Sequence, residues 1–209
     1  MYLPSHFVEQ RPQSLHALIA ACPLATLITG GDEPVVNHVP FIIDTAGSDA
    51  ILRGHVARQN PLWQNLGSSV TAIFHGPQAY ISPSWYPSKA RDAKVVPTWN
   101  YAVVHATGVA RAVETSTWIR DQITALTTQA EHSRSPRWSI EDAPAEFIER
   151  MASQIVGIEI TIRSLTGKFK LSQNRNAEDQ QGVMNGLAGT GATAMLEIMR
   201  QIGMTHLPG

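Results

Sequence analysis

A chain of 209 residues, of which 43% are hydrophobic and 16% charged, has the length and composition of one large globular domain. The single cysteine, Cys22, excludes an internal disulfide and any metal site built from several cysteines. The formal net charge of −1 provides no general attraction to nucleic acid. No apolar run approaches the roughly 20 residues that span a bilayer, and residues 1–7 lack the features of a signal peptide, so a cytoplasmic protein is predicted.

Short strands separated by turns are predicted throughout the first half of the chain. Pro12 opens a helix that ends before Pro23 and carries Leu15, Leu18 and Ile19 on one apolar face. Branched residues and alternating hydrophobicity predict strands at residues 24–29, 35–43, 51–56, 70–75, 78–82 and 99–113.

Turn and cap residues divide these strands. Gly30-Gly31-Asp32 separates the first two strands, and residues 46–49 form the next turn. Asn60-Pro61 is typical of a helix start, whereas Gly76-Pro77 is expected to interrupt a strand. A proline-rich loop covers residues 83–97, and loops of this length are often functional.

The second half of the chain predicts more helix. Residues 117–131 and 144–154 have helical patterns, whereas residues 156–162 return to strand alternation that continues at 167–173. Two short helices are expected within residues 178–202. This order predicts an α+β fold that is mostly β, namely an antiparallel barrel with helical decoration and a helical C-terminal tail.

The sequence supports neither a dinucleotide-binding site nor the nucleophile of a serine hydrolase. Residues 189–194 match G-x-G-x-x-A, but the preceding segment is helical and the sequence ends too soon for the acidic partner of a dinucleotide site. This motif is therefore interpreted as a flexible helix junction. No G-x-S-x-G elbow surrounds Ser82, Ser84 or Ser172, which argues against a serine hydrolase.

Metal binding and direct reading of DNA are also disfavoured. Residues 178–202 contain Arg200 as their only Lys or Arg, whereas a recognition helix usually carries cations for phosphates. Four histidines lie in separate predicted strands without metal-ligand spacing, so no metal site is predicted: His38, His55, His75 and His105.

Four segments at predicted strand ends combine cations or hydroxyls with aromatic residues and Gly or Pro: 53–61, 79–86, 96–101 and 168–175. Each segment alone is compatible with an ordinary polar strand end. Together they match the needs of a phosphorylated aromatic cofactor, namely cations for the phosphate, hydroxyls for a ribityl chain and flat apolar groups for the ring. No glycine-rich strand–helix turn is available for a pyrophosphate, which favours FMN over FAD or NAD.

These motifs, taken in order, resemble the PaiB family of FMN-binding negative transcriptional regulators: 1–7, 54–61 with Trp63, 80–86, 97–101 with His105, and 170–175. The resemblance implies a split barrel similar to that of pyridoxamine-phosphate oxidases, with a homodimer and two flavin sites at its interface. It implies an FMN-binding domain at residues 1–175, a helical insertion at about 115–154 and a helical tail at 176–209 packed on the same domain.

Carried over residue by residue, the resemblance implies these cofactor contacts: Arg53, His55, Asn60, Tyr80, Ser82, Ser84, Trp85, Thr98, Trp99, Asn100, Lys170, Gln173 and Arg175. Which of Arg53, Lys170 and Arg175 holds the phosphate stays open. Catalytic residues are not identified.

Three functions remain open at this point. One is a regulator that senses flavin, redox state or a metabolite and represses genes, directly or through a partner. Another is an FMN-dependent oxidoreductase, and a third is a split barrel that binds or degrades haem. DNA binding follows from the family role but is not supported by the charge, and Ile42, Ile73 and Val104 are expected near the core or the homodimer interface.

Overall fold

The computed structural model describes residues 1–30, 33–66 and 69–203. The α-helices of this part are α1 (Pro12–Ala21), α2 (Lys89–Asp92), α3 (Ser116–Glu131), α4 (Ala145–Ala152), α5 (Ala177–Ala188) and α6 (Thr193–Gly203). Its strands are β1 (Val8–Glu9), β2 (Leu24–Thr29), β3 (Val35–Asp44), β4 (Ile51–Ala57), β5 (Val70–Ile81), β6 (Thr98–Val113) and β7 (Ile155–Lys170). Short 3₁₀ turns occupy Ser5–Phe7, Pro61–Gln64, Pro83–Trp85 and Ile140–Asp142.

The described strands form one sheet that closes on itself. The strand order is β1-β7-β4-β3-β2-β5-β6, and β6 also pairs with β7. Six strands therefore complete a ring, while β1 adds to β7 through Val8 opposite Lys168. The ladders of β2 with β3 and β5, and of β4 with β3 and β7, are antiparallel. This arrangement confirms the predicted antiparallel barrel with helices between and after its strands.

Most predicted elements are confirmed, but the predicted interruption of a strand at Gly76-Pro77 is wrong. β5 continues through Gly76-Pro77, and β7 runs without a break from Ile155 to Lys170. Proline is tolerated in a strand where its missing N–H removes no ladder bond. β2 pairs only with residues Val70–Ile73 of β5, so Pro77 lies beyond that ladder. The predicted turn at residues 30–32 falls partly outside the described residues.

The chain divides into two compact units. Unit 1 comprises Met1–Leu15, His75–Val104 and Thr166–Gly209, and unit 2 comprises His16–Phe74 and His105–Leu165. Strands β5, β6 and β7 contribute residues to both units.

Each unit buries its own apolar residues. Phe169, Leu187 and Met195 are almost completely buried in unit 1. In unit 2 the fully buried residues include Leu27 and Phe41, and α3 contacts β3, β4 and α4. No helix in the described part of the chain is both long and apolar enough to cross a membrane.

Candidate functional site

Three cations of unit 1 lie at the end of β7 and in the turn that follows it. Alternation along the strand places Lys168 and Lys170 on one face, while Phe169 and Leu171 enter the core on the other. Arg175 follows in the turn before α5. We call Lys168, Lys170 and Arg175 the cation cluster.

Each lysine of the cluster is held among aromatic side chains. Lys168 is only 8% exposed. Its Nζ donates a 3.0 Å hydrogen bond to the carbonyl oxygen of Tyr2 and lies 5.4 Å from the ring centroid of Tyr101. Lys170 Nζ donates to the hydroxyl of Thr98 and lies 6.0 Å from the ring of Phe7. The structure thus brings together Lys170 and Thr98, two of the residues predicted to contact the cofactor.

Arg175 lies over an aromatic ring. Its Cζ is 4.7 Å from the ring centroid of Tyr86. Its backbone is fixed by two further bonds, because its N–H donates to the Ser172 carbonyl at 2.9 Å and its carbonyl accepts from Gln180 Nε2 at 2.7 Å. The guanidinium is therefore placed by the turn and by the ring beneath it.

In the part of the chain that the structure describes, no ion pair neutralises the positive charge of the cluster. Within the described residues, no carboxylate lies at ion-pair distance from any of the three cations. Burial lowers the pKa of Lys170, and the charges of Lys168 and Arg175 lower it further, although Tyr101 acts in the opposite direction. An anion placed beside Lys170 would relieve this repulsion, and a phosphate is suited to such a group of cations.

Exposed aromatic side chains occupy neighbouring strands of the same unit. Tyr80 in β5 is 48% exposed and Trp99 in β6 is 53% exposed, and their rings meet edge to face with centroids 6.0 Å apart. Val96 is exposed as well. Unit 1 thus offers apolar surface for a flat ring and cations for a phosphate, so its residues fit a flavin mononucleotide.

Other predicted residues of unit 1 build local structure. Ser82 Oγ accepts from Ser84 N–H at 3.2 Å and lies 2.6 Å from Ser84 Oγ, which caps the turn at Pro83–Trp85. Trp85 lies at the end of this turn and packs on α5.

Asn100 and Gln173 shape the turn that follows β7. Asn100 is completely buried, and its Nδ2 donates to Ser172 Oγ at 2.9 Å. The Gln173 side chain accepts from Leu171 N–H at 2.7 Å and donates to the Phe169 carbonyl at 2.5 Å. Sequence reasoning could not foresee these structural roles, since they depend on partners that only the folded turn provides.

The three predicted residues of unit 2 have protein partners there. Arg53 forms ion pairs with Asp44 at 3.0 Å and Glu159 at 3.4 Å. His55 Nδ1 lies 2.7 Å from Gln122 Oε1.

Asn60 caps the turn at Pro61–Gln64, as its position before Pro61 predicts. Its Oδ1 accepts from Leu62 N–H, and its Nδ2 donates to Asn37 Oδ1, both at 2.9 Å. Among the described residues, no group of three His, Cys, Asp or Glu is placed to hold a metal ion.

Sequence reasoning missed two features of unit 2. Glu159 is buried and binds Arg111 and Trp118 in addition to Arg53. A cavity of about 450 Å³ also lies between α3 and α4, with Ile119 and Ile148 among its lining residues. Neither feature has a local motif that could have revealed it.

The thiol of unit 2 is partly shielded from solvent. Cys22 follows α1 and is half-buried, and this burial raises the pKa of its thiol.

A closed antiparallel barrel that carries cations, hydroxyls and exposed aromatic side chains near its strand ends defines a split-barrel protein of the flavin-binding class. The FAD and haem binding protein of Mycobacterium smegmatis shares this fold, with a TM-score of 0.60 and 15% identity over 84% of this chain and 78% of that chain. The family model described as "Putative FMN-binding domain" matches residues 1–164. The chain belongs to this FMN-binding family, and FMN is its cofactor.

Two relatives align along most of the chain. An uncharacterized protein of Emericella nidulans is 35% identical over 97% of this chain and 98% of its own length. Protease synthase and sporulation protein PAI 2 of Bacillus subtilis is 29% identical over 90% of this chain and 89% of its own length. These matches confirm the predicted membership of the PaiB family. The family model ends before Lys168, so the role of the cation cluster rests on its geometry.

Proposed function

We propose that this chain is an FMN-binding regulator of gene expression that responds to flavin, redox state or a metabolite. The cation cluster carries the proposal, because three neighbouring cations without a nearby carboxylate in the described residues suit the phosphate of FMN. The name of the Bacillus subtilis relative associates that protein with protease synthesis and sporulation, which supports a regulatory role.

In this proposal the residues of unit 1 bind and orient the cofactor. Lys170 and Arg175 hold the phosphate, and Thr98 places the ammonium of Lys170. Tyr80 and Trp99 supply apolar surface for the ring. Bound FMN supplies a ring that can be reduced and reoxidised.

The remaining predicted residues receive supporting roles. Ser82, Ser84 and Trp85 shape the loop after β5, and Asn100 and Gln173 fix the turn after β7. We assign Arg53, His55 and Asn60 to the structure of unit 2, because protein groups already bind their side chains: Asp44, Gln122 and Asn37.

We propose regulation through a partner rather than direct reading of DNA. The net charge is −1, and α5 and α6 together contain Arg200 as their only Lys or Arg. Bare DNA is therefore expected to bind weakly and without sequence preference at physiological salt. Fluorescence anisotropy with a fragment of the chain's own promoter and a scrambled fragment measures this, and nanomolar binding with clear preference for the promoter would contradict it.

The regulatory and enzymatic roles differ in the fate of the flavin. Addition of NAD(P)H to the FMN-loaded protein without oxygen should reduce the flavin slowly, and rapid repeated turnover after oxygen is admitted would favour an oxidoreductase. An intense haem absorption band in the purified protein would favour a haem-binding role. A change in transcript levels on deletion of the gene, reversed by the wild type but not by Lys170→Met, is the result expected of an FMN-dependent regulator.

We also propose a homodimer, since apolar side chains of unit 1 are exposed. Val96 is one of them, whereas Val104 is buried and Ile42 and Ile73 are half-buried. Sedimentation at micromolar concentration should give a dimer, and Val96→Asp should shift it toward the monomer. Met151→Asp, at an exposed site on α4, is the matched control. A monomeric wild type would contradict the proposal.

A further inference from the structure

Helix α5 presents a glycine face to the loop that follows β5. Gly182 and Gly186 are four residues apart and so lie on one side of the helix. A Cβ atom at Gly186 would come within 2.2 Å of Trp85 Cδ2, and one at Gly182 within 2.1 Å of the Trp85 carbonyl oxygen. Only glycine at both positions allows Trp85 to lie directly on α5.

Polar contacts hold the next residues of this loop on the same helix. The buried carboxylate of Asp179 accepts from Ser88 N–H at 3.0 Å and from Ser88 Oγ at 2.8 Å. Arg91 pairs with Glu178 at 2.5 Å, although both side chains are largely exposed. The loop from Trp85 to Arg91 is therefore fixed to the first three turns of α5.

Tyr86 lies within this fixed segment and supports Arg175. It is 2% exposed, and burial raises the pKa of its hydroxyl, although Arg175 acts in the opposite direction. Packing therefore holds the ring in place. Its face lies under the Arg175 guanidinium at 4.7 Å, a geometry in which the ring attracts the cation.

We propose that α5 positions Arg175 for the FMN phosphate by holding the Tyr86 ring beneath the guanidinium. The inference rests on the proposed function and assigns a role to the helices that follow β7 within residues 176–203. Tyr86 and Gly186 are positioning residues, because they act through Arg175 and not by contact with the cofactor. The required contacts all lie within unit 1.

Two substitutions of Tyr86 test this inference. Tyr86→Leu removes the ring and should weaken FMN binding by about 3- to 30-fold. It should change riboflavin binding little, because riboflavin lacks the phosphate. Tyr86→Phe is the matched control, since it keeps the ring and removes only the hydroxyl, and it should keep the preference for FMN over riboflavin. Fluorescence titration measures the ratio of the two dissociation constants, and circular dichroism verifies the fold.

A second pair of substitutions, in and just after α5, tests whether this helix positions Arg175. Gly186→Ala should displace Trp85 and lower FMN affinity more than riboflavin affinity. Gly189→Ala is the control, because its Cβ would lie at an ordinary 3.5 Å from the Gly186 carbonyl oxygen. This pair also provides the test if Tyr86→Leu does not fold.

The outcomes separate the inference from the proposed function. If the wild type binds FMN no more tightly than riboflavin, the proposed phosphate site is wrong, and the inference with it. If the wild type prefers FMN and folded Tyr86→Leu or Gly186→Ala keeps that preference, only the inference is overturned. Equal losses for both ligands would likewise overturn it, because they would indicate a structural role for the whole site.

Discussion

Lys170→Met is expected to weaken FMN binding by about one to two orders of magnitude while leaving riboflavin binding nearly unchanged. A hydrogen bond between an ammonium and a phosphate contributes roughly 1.5–3 kcal/mol, which corresponds to this loss. Arg175→Ala should have an effect of the same size. Lys168→Met should have a smaller one, because Lys168 is only 8% exposed and is bound to the Tyr2 carbonyl, whereas Lys170 is half-buried. Isothermal titration calorimetry with the two ligands measures the difference.

Arg163→Met is the matched control, since it removes one positive charge from an exposed position on the same strand. It should leave both affinities close to those of the wild type. Equal and negligible losses for Lys168, Lys170 and Arg175 would exclude this phosphate assignment and favour Arg53 or Arg58.

The same lysine is expected to make FMN binding depend on pH. Burial, followed by the charges of Lys168 and Arg175, lowers the pKa of Lys170 below its ordinary value of 10.5. Lys170 therefore loses its proton at a lower pH than a solvated lysine, and the neutral amine attracts the phosphate far less. FMN affinity should fall as the pH rises through this lowered pKa. The decrease should be smaller for riboflavin and for the Lys170→Met variant.

Glu159→Ala is expected to lower the free energy of unfolding by about 2–4 kcal/mol. The Glu159 side chain is 8% exposed and accepts from the Trp118 indole and from Arg111, so its removal takes a partner from the half-buried indole and from Arg111, whose side chain is 65% exposed. The partial exposure of Arg111 keeps the loss below that of a fully buried pair. Urea unfolding followed by circular dichroism measures the change.

Glu114→Ala provides the control for this loss. Glu114 is 54% exposed, and its partner Arg58 keeps bonds to the carbonyls of Ser153 and Ile155. Its removal should therefore lower the free energy of unfolding by less than about 1 kcal/mol. Similar losses for the two substitutions would show that Glu159 is no more important to unit 2 than a surface ion pair.

Most of the barrel could be predicted from the sequence, because caps, turns and alternating hydrophobicity are local patterns. Pro12 marks the start of α1 and Asn60 caps the next 3₁₀ turn, because caps and proline act within a few residues of the chain. The continuity of β5 through Pro77 could not be predicted, since it depends on which strand lies beside that residue. The alternation of residues 156–162 is typical of a strand in which Glu159 would face solvent. In the structure Glu159 is buried, because Arg111 and Trp118, from distant parts of the sequence, bind its carboxylate.

Part of the candidate site could also be predicted from the sequence. Lys170 and Thr98 lie in two of the segments that combine cations and hydroxyls at strand ends, and the resemblance to the PaiB family implied that both contact the cofactor. They contact each other although 72 positions separate them. The side chain of Asn100 could bind a cofactor by its chemistry alone, but it is completely buried and donates to Ser172. Tyr86 belongs to the motif at residues 80–86, but its proposed role depends on α5, whose sequence pattern predicts only an ordinary helix.

The shielding of Cys22 bears on the proposed response to redox state. Peroxides react with the thiolate and not with the thiol, and burial keeps the sulfur of Cys22 in its protonated form to a higher pH than an exposed cysteine. The chain contains no second cysteine to trap a sulfenic acid as an intramolecular disulfide. If the protein responds to redox state as proposed, we expect the isoalloxazine ring of the flavin rather than Cys22 to respond, and replacement of Cys22 by serine should leave such a response intact.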